Sequence, residues 1–154
     1  MPTDVKLIEA VPVLAALDAE DRQKLANVAT RVDVSGGEPL FREGEPADEV
    51  YFVVSGVILL HLRVVGRQTL TVLSVGPGEL VGWSGLLPQG RVASATVAQD
   101  ATLLRFHGPT LLELCEEDHD IGFVLMRTVV HQLAQRLHDT RLQLLNLVGQ
   151  ADHG

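Results

Sequence analysis

Apolar residues recur at helical spacing over 7–29. Leu7, Ile8 and Val11 lead into Pro12, and Val13, Leu14 and Leu17 precede Asp18. Asp18 suits the N-cap of a helix over 19–29, because its carboxylate can accept an orphan backbone N–H. Asp21 falls in the first turn, where the helix dipole favours an acid, and Leu25, Val28 and Ala29 form the inner stripe. At Arg31 the period changes to strict alternation, the pattern of a half-buried strand. Strands are predicted at 31–34, from Leu40-Phe41, and over 50–54, 57–65, 69–75, 95–97 and 102–106. Gly36-Gly37, Ser55-Gly56, Gly66-Arg67-Gln68 and Gly76-Pro77-Gly78 mark turns. About eight short strands at such spacing predict an antiparallel β-roll over 31–106, of jelly-roll type. No helix fits between the strands before residue 75, which excludes a doubly wound fold.

The C-terminal third returns to helical spacing over 109–148. Pro109 is acceptable in the first turn of a short helix. Glu116-Glu117-Asp118-His119-Asp120 then places acid before a long helix over about 120–148. Met126, Val130, Leu133, Leu137, Thr140, Leu144 and Leu147 follow one another at alternating spacings of four and three, a heptad seam interrupted by one hydroxyl. Phe123, Leu125 and Val129 add apolar surface beside it. The expectation is a helix that packs on its own roll and also pairs with a second copy. Residues 149–154 read as a short polar tail, frayed from the helix.

Between the strand halves lies Gly78-Glu79-Leu80-Val81-Gly82-Trp83-Ser84-Gly85-Leu86-Leu87, followed by a polar loop and Ser94-Ala95-Thr96-Val97. This reads as a glycine turn, one short helical turn over 83–87, and a return to a strand. A helix of one turn is marginal by itself. Its free N-terminal amides carry partial positive charge and can receive an anion.

The chain has 154 residues, enough for one domain over 1–154 with a sizeable core. Its net charge of −8 argues against a nucleic-acid partner, whose phosphates reward basic patches. No apolar stretch approaches the ~20 residues that span a bilayer, and no basic leader precedes an apolar run. The expected location is the cytoplasm. Cys115 reads as a packed small hydrophobe. A cupin-like metalloenzyme would need paired histidines on a strand, but His61 stands alone on its strand and His131 and His138 lie two turns apart.

Several segments carry a family resemblance: Gly44-Glu45; Tyr51-Phe52-Val53-Val54-Ser55-Gly56-Val57; Gly76 to Gly82; Ser94 to Val97; and Arg136-Leu137, Thr140 and Asn146-Leu147. In their order the chain resembles the cyclic-nucleotide-binding domain, in particular the sensory half of bacterial catabolite-activator (Crp/Fnr) regulators. The resemblance implies a sensory module without enzymatic activity, with a phosphate-binding cassette after Gly82 and dimerisation through 120–148. It names Gly82, Trp83, Ser84, Gly85, Arg91, Ser94 and Thr140 as candidate ligand-binding residues. The ligand class implied is a cyclic nucleotide or another small anion. The regulators carry a helix-turn-helix domain after the dimer helix. None follows Leu147 here, so the expectation is a stand-alone module that acts on a separate effector protein and does not bind DNA directly.

Two positions depart from the family. Trp83 stands where an acid receives the ribose hydroxyl, and Ala93 where an arginine pairs the cyclic phosphate. Arg91, two residues before Ala93, would share its face in an extended segment; a solvated loop charge is the other reading. One charge-assisted hydrogen bond contributes about 1.5–3 kcal/mol, so losing both anchors moves a micromolar ligand towards roughly millimolar. Trp83 either stacks on a ligand or fills its space. The second case describes a ligand-free dimeric scaffold with its pocket closed.

Overall fold

Three short helices open the chain: α1 (Val5–Glu9), α2 (Pro12–Ala15) and α3 (Ala19–Val28). Asp18 caps α3 as its position predicts, accepting the Asp21 N–H at 2.8 Å. Among the described residues the strands are β1 (Ala29–Val34), β2 (Pro39–Phe41), β3 (Glu49–Arg63), β4 (Thr69–Val75), β5 (Leu80–Val81) and β6 (Ser94–His107). A 3₁₀ turn, Trp83–Leu86, separates β5 from β6, and helices α4 (Gly108–Glu117) and α5 (His119–His153) close the chain. This computed structural model describes residues 3–63, 69–86, 90–91 and 93–153. The expected turn at Gly66-Arg67-Gln68, the end of strand 57–65 and positions 87–89 and 92 lie outside the described residues.

The sheet is antiparallel, in the order β1-β6-β3-β4, with β2 on β6 and β5 on β3. Two pairs of expected short strands are continuous. Ser55-Gly56 is not a turn: β3 runs through it, and its register with β6 shifts there, from Val53↔Leu103 to Ser55↔Thr102 and Val57↔Gln99. Gly56 holds φ +91°, and a Cβ on it would lie 2.5 Å from the Asp100 carbonyl oxygen. The glycine therefore lets two strands cross closely at a bulge, where the sequence alone reads a reversal. Divided at these bulges, the long strands supply the expected arms of the roll.

Strand alternation separates two cores. Val50, Phe52, Leu104 and Phe106 face the helices, packed with Ile8, Leu25, Leu111, Ile121 and Leu125. Tyr51, Val53 and Leu103 point to the other face, with Phe41, Ile58, Val75, Val81, Ala95 and Val97. The Phe52 and Phe106 rings meet edge to face at 6.1 Å. Cys115 packs against the helical core, and burial pushes its thiol up to about 11. Helix α5 does not stop at Val148: it continues through Gly149, which lacks the positive φ that would end a helix. Among the described residues no helix is long and apolar enough to cross a membrane.

Candidate functional site: the glycine-turn cassette

Strand β5 ends at Val81, and Gly82, with φ +76°, turns the chain into the 3₁₀ turn. The Gly85 N–H closes that turn on the Gly82 carbonyl at 2.9 Å. A Cβ on Gly82 would lie 2.8 Å from Arg91 Nη1 and 3.2 Å from the Phe41 ring. A Cβ on Gly85 would lie 2.5 Å from the Glu49 carbonyl oxygen. The first glycine supplies backbone conformation, and both supply space.

Arg91 is 6% exposed, so it is not a solvated loop charge. It also precedes β6, which starts at Ser94, so the shared-face argument for an extended segment does not apply. Its Nη1 donates to the Gly82 carbonyl at 2.8 Å and its Nη2 to the Glu49 carbonyl at 2.6 Å. The guanidinium lies 4.2 Å from the Phe41 ring centroid. Its Nε is buried without an acceptor, and burial pulls its pKa below the ordinary arginine value. The Arg91 main chain pairs with the loop before β3, through Gly44 N to Arg91 O and Arg91 N to Glu45 O, both 2.9 Å.

Ser94, at the start of β6, accepts the Glu43 N–H on Oγ at 2.8 Å, which ties the same loop to the strand. Ser84 is buried within the turn, while Trp83 is half-buried and packs with Leu86 against the helical core. Trp83 thus turns towards the helices, not into the second core. Gly82, Trp83, Ser84, Gly85, Arg91 and Ser94 lie in the cassette segment. Thr140 does not join them; it is exposed on α5, one turn beyond Arg136.

Several residues essential to this geometry escaped the sequence reading. Glu49 offers the carbonyl for Arg91, and its carboxylate accepts the Tyr51 hydroxyl at 2.9 Å. Burial, with the Glu49 charge, pushes the Tyr51 phenol up to about 12. Gly108, the first residue of α4, donates to the Asp48 carbonyl at 2.7 Å and abuts Gly85 so closely that no Cβ fits between them. From α5, the buried Gln132 side chain pairs with the backbone of β5: Leu80 N donates to Oε1 at 2.9 Å, and Nε2 donates to Leu80 O at 2.7 Å. Arg136 Nη2 adds a bond to the same carbonyl at 3.2 Å. The cassette therefore touches both C-terminal helices. A glutamine at a buried helix position was the available signal, but nothing local says which strand it meets.

Residues 31–118 match the family model described as the cyclic nucleotide-binding domain. The chain is 33% identical over 112 residues to the cyclic AMP receptor protein of Thermus thermophilus, covering 70% of this chain and 49% of that protein. It matches the CRP-like cAMP-activated global transcriptional regulator of Mycobacterium tuberculosis at 29% identity over 119 residues, covering 76% and 51%. The chain thus spans about half the length of these relatives. Among solved structures it resembles the N-terminal domain of a transcriptional regulator from Streptomyces coelicolor, with TM-score 0.67, 28% identity and coverage of 87% and 94%.

Proposed function

Because this chain belongs to the cyclic-nucleotide-binding-domain family, we propose that it is a regulatory module that binds a small anionic ligand at Gly82–Leu86 with weakened affinity for cyclic AMP. The observation that carries this is the use of Arg91. With Ala93 at the expected anchor, Arg91 is the cassette's nearest guanidinium, and two backbone carbonyls occupy its terminal nitrogens. Pairing with a phosphate would break both bonds in a buried setting, where an orphaned carbonyl costs about 1–3 kcal/mol. Arg91 then serves as an internal latch that preforms the cassette. Ligand recognition falls to the main chain, Ser84 and Ser94, with Trp83 at the edge. The Gly85–Gly108 contact and the Gln132 clamp carry occupancy to α4 and α5, and α5 passes it to a second copy and to a separate effector.

Calorimetric titration with cyclic AMP, cyclic GMP and a cyclic dinucleotide tests this reading. The expected result is cyclic AMP affinity of about 0.1–1 mM, the range a micromolar site reaches on losing two charge-assisted bonds. Saturation by cyclic AMP below about 10 µM would overturn the weakened-site reading. An absence of heat with every nucleotide would favour the ligand-free scaffold, with the Arg91 latch standing where a ligand's bonds would be.

A further inference from the structure

The sheet order β1-β6-β3-β4, with β2 on β6 and β5 on β3, leaves β1, β2, β4 and β5 at its margins among the described residues. A marginal strand offers its outer row of backbone N–H and C=O groups to any other extended chain. Folded proteins blunt such rows with charge, proline, short length or a covering group. Three of these strands are blunted in that way. On β1, Arg31 and Asp33 are exposed and pair at 3.1 Å. Strand β2 has three residues and begins with Pro39. Strand β5 has two residues, and the Gln132 side chain takes up the N–H and the carbonyl of Leu80.

Strand β4 lacks the charge, the proline, the short length and the cap. It runs for seven residues, Thr69-Leu70-Thr71-Val72-Leu73-Ser74-Val75, about 24 Å when extended. All but Ser74 are β-branched or aliphatic. Among the described residues it pairs with β3 and carries no strand on its other side. Its one irregularity is a bulge: Leu60 pairs with Leu73 and His61 with Thr71, which leaves Val72 over and divides the strand into two arms of three residues.

A row of peptide groups selects an extended backbone, not a helix or a small molecule. The same strand of a second copy, antiparallel about a two-fold axis at Val72, sets each arm against the opposite arm of its partner and is self-complementary. Like charges directly opposite destabilise a strand pair; this pair sets none, although each chain carries a net −8. We infer that β4 is a self-association edge, pairing antiparallel with β4 of a second copy so that the sheet continues across both. A seven-residue strand pair is small beside the ~1,600 Å² of a stable interface, so the contact is weak and forms at high protein concentration. The inference involves neither the cassette nor the α5 seam.

Sedimentation equilibrium of the full chain carrying Leu137→Glu and Leu144→Glu isolates this contact from the helix pair. The expected result is a monomer at about 10 µM that approaches a dimer by about 1 mM, without growth beyond two, because an isologous edge closes on itself. Hydrogen exchange should slow at least threefold over residues 69–75 between these concentrations and stay unchanged in α5. Ser74 is exposed; Ser74→Lys places a charge on the edge and should keep the protein monomeric at the higher concentration. Ser35→Lys, exposed just beyond β1, makes the same change in net charge and should leave the association intact. A flat mass over the whole range, growth beyond a dimer, or protection that falls outside residues 69–75 would overturn the inference. A folded Ser74→Lys variant that still associates would do the same, and if that variant does not fold, the exchange profile decides. Failure of the helix pair is read separately, as a monomeric unsubstituted chain at the lower concentration.

Discussion

Arg91 sets the outcome at the scale of single residues. A buried guanidinium holding two carbonyls cannot be replaced by an ammonium, which lacks the planar fork. Arg91→Lys and Arg91→Met are each expected to cost about 2–4 kcal/mol, from two charge-assisted bonds and the carbonyls they leave; urea unfolding midpoints measure this. A Lys variant as stable as the parent would show that the latch has no weight. Gly82→Ala is expected to cost about 1–3 kcal/mol, through its left-handed backbone and the Cβ placed 2.8 Å from Arg91 Nη1. The glycine turn itself was legible in the sequence, because positive φ is a local property that glycine advertises. The orientation of Arg91 was not, because spacing predicts a side chain's direction only inside a regular element.

At the scale of elements, the joints between helices and sheet carry polar ties that sequence periodicity cannot reveal. Gln132→Met keeps the volume but removes both bonds to Leu80. An expected loss of about 1–3 kcal/mol should appear with faster hydrogen exchange at the Leu80 amide. A second tie joins α3 to the corner between α4 and α5. Asp118 Oδ1 accepts the Asp120 and Ile121 N–H groups at 3.1 and 3.2 Å, and its Oδ2 meets Lys24 Nζ at 2.9 Å. The buried Asp21 carboxyl lies in the same group with Asp118 and Asp120. Its hydrogen bond to Asp118, burial and the nearby acids push it up from 3.8 to about 6, while the same bond and Lys24 hold Asp118 below the usual carboxylate range. A folded-state pKa above the unfolded value gives stability that is complete below the unfolded pKa and is lost as pH rises through the folded one. The Asp21 contribution is therefore present at pH 4 and disappears between about 4 and 6. The Asp118 contribution has the opposite sign and is lost as pH falls below its unfolded value. Asp21→Asn keeps a donor to Asp118 without the titration. Thermal melts at pH 4.5 and 7.5 should show the variant gaining on the parent at the higher pH; parallel behaviour would refute the raised Asp21 pKa.

At the scale of the whole molecule, α5 carries more apolar surface than one copy covers. Val130, Leu137, Leu144 and Leu147 of the seam are 53–65% exposed, which suits a self-complementary helix pair. Leu137→Glu combined with Leu144→Glu is expected to give a monomer by light scattering with the roll intact by circular dichroism. An unchanged mass for that variant, or a monomeric parent at high concentration, would remove the dimer. Much of the architecture was readable in advance: alternation over 31–106, helical spacing at both ends and the Asp18 cap are local consequences of side-chain periodicity and backbone hydrogen bonding. Strand continuity through Gly56 was not, since a glycine with positive φ serves a reversal and a bulge equally well, and only the approach of Asp100 from a distant strand selects the bulge. The sequence by itself determined the order of elements and the glycine turn, because these depend on residues adjacent in the chain. Only the tertiary structure decided that Arg91 turns inward, that Gly108 abuts Gly85 and that Gln132 clamps Leu80. Each of these depends on partners brought together by burial of the two cores, and the chemistry of a buried polar group is fixed by whichever partner the fold delivers.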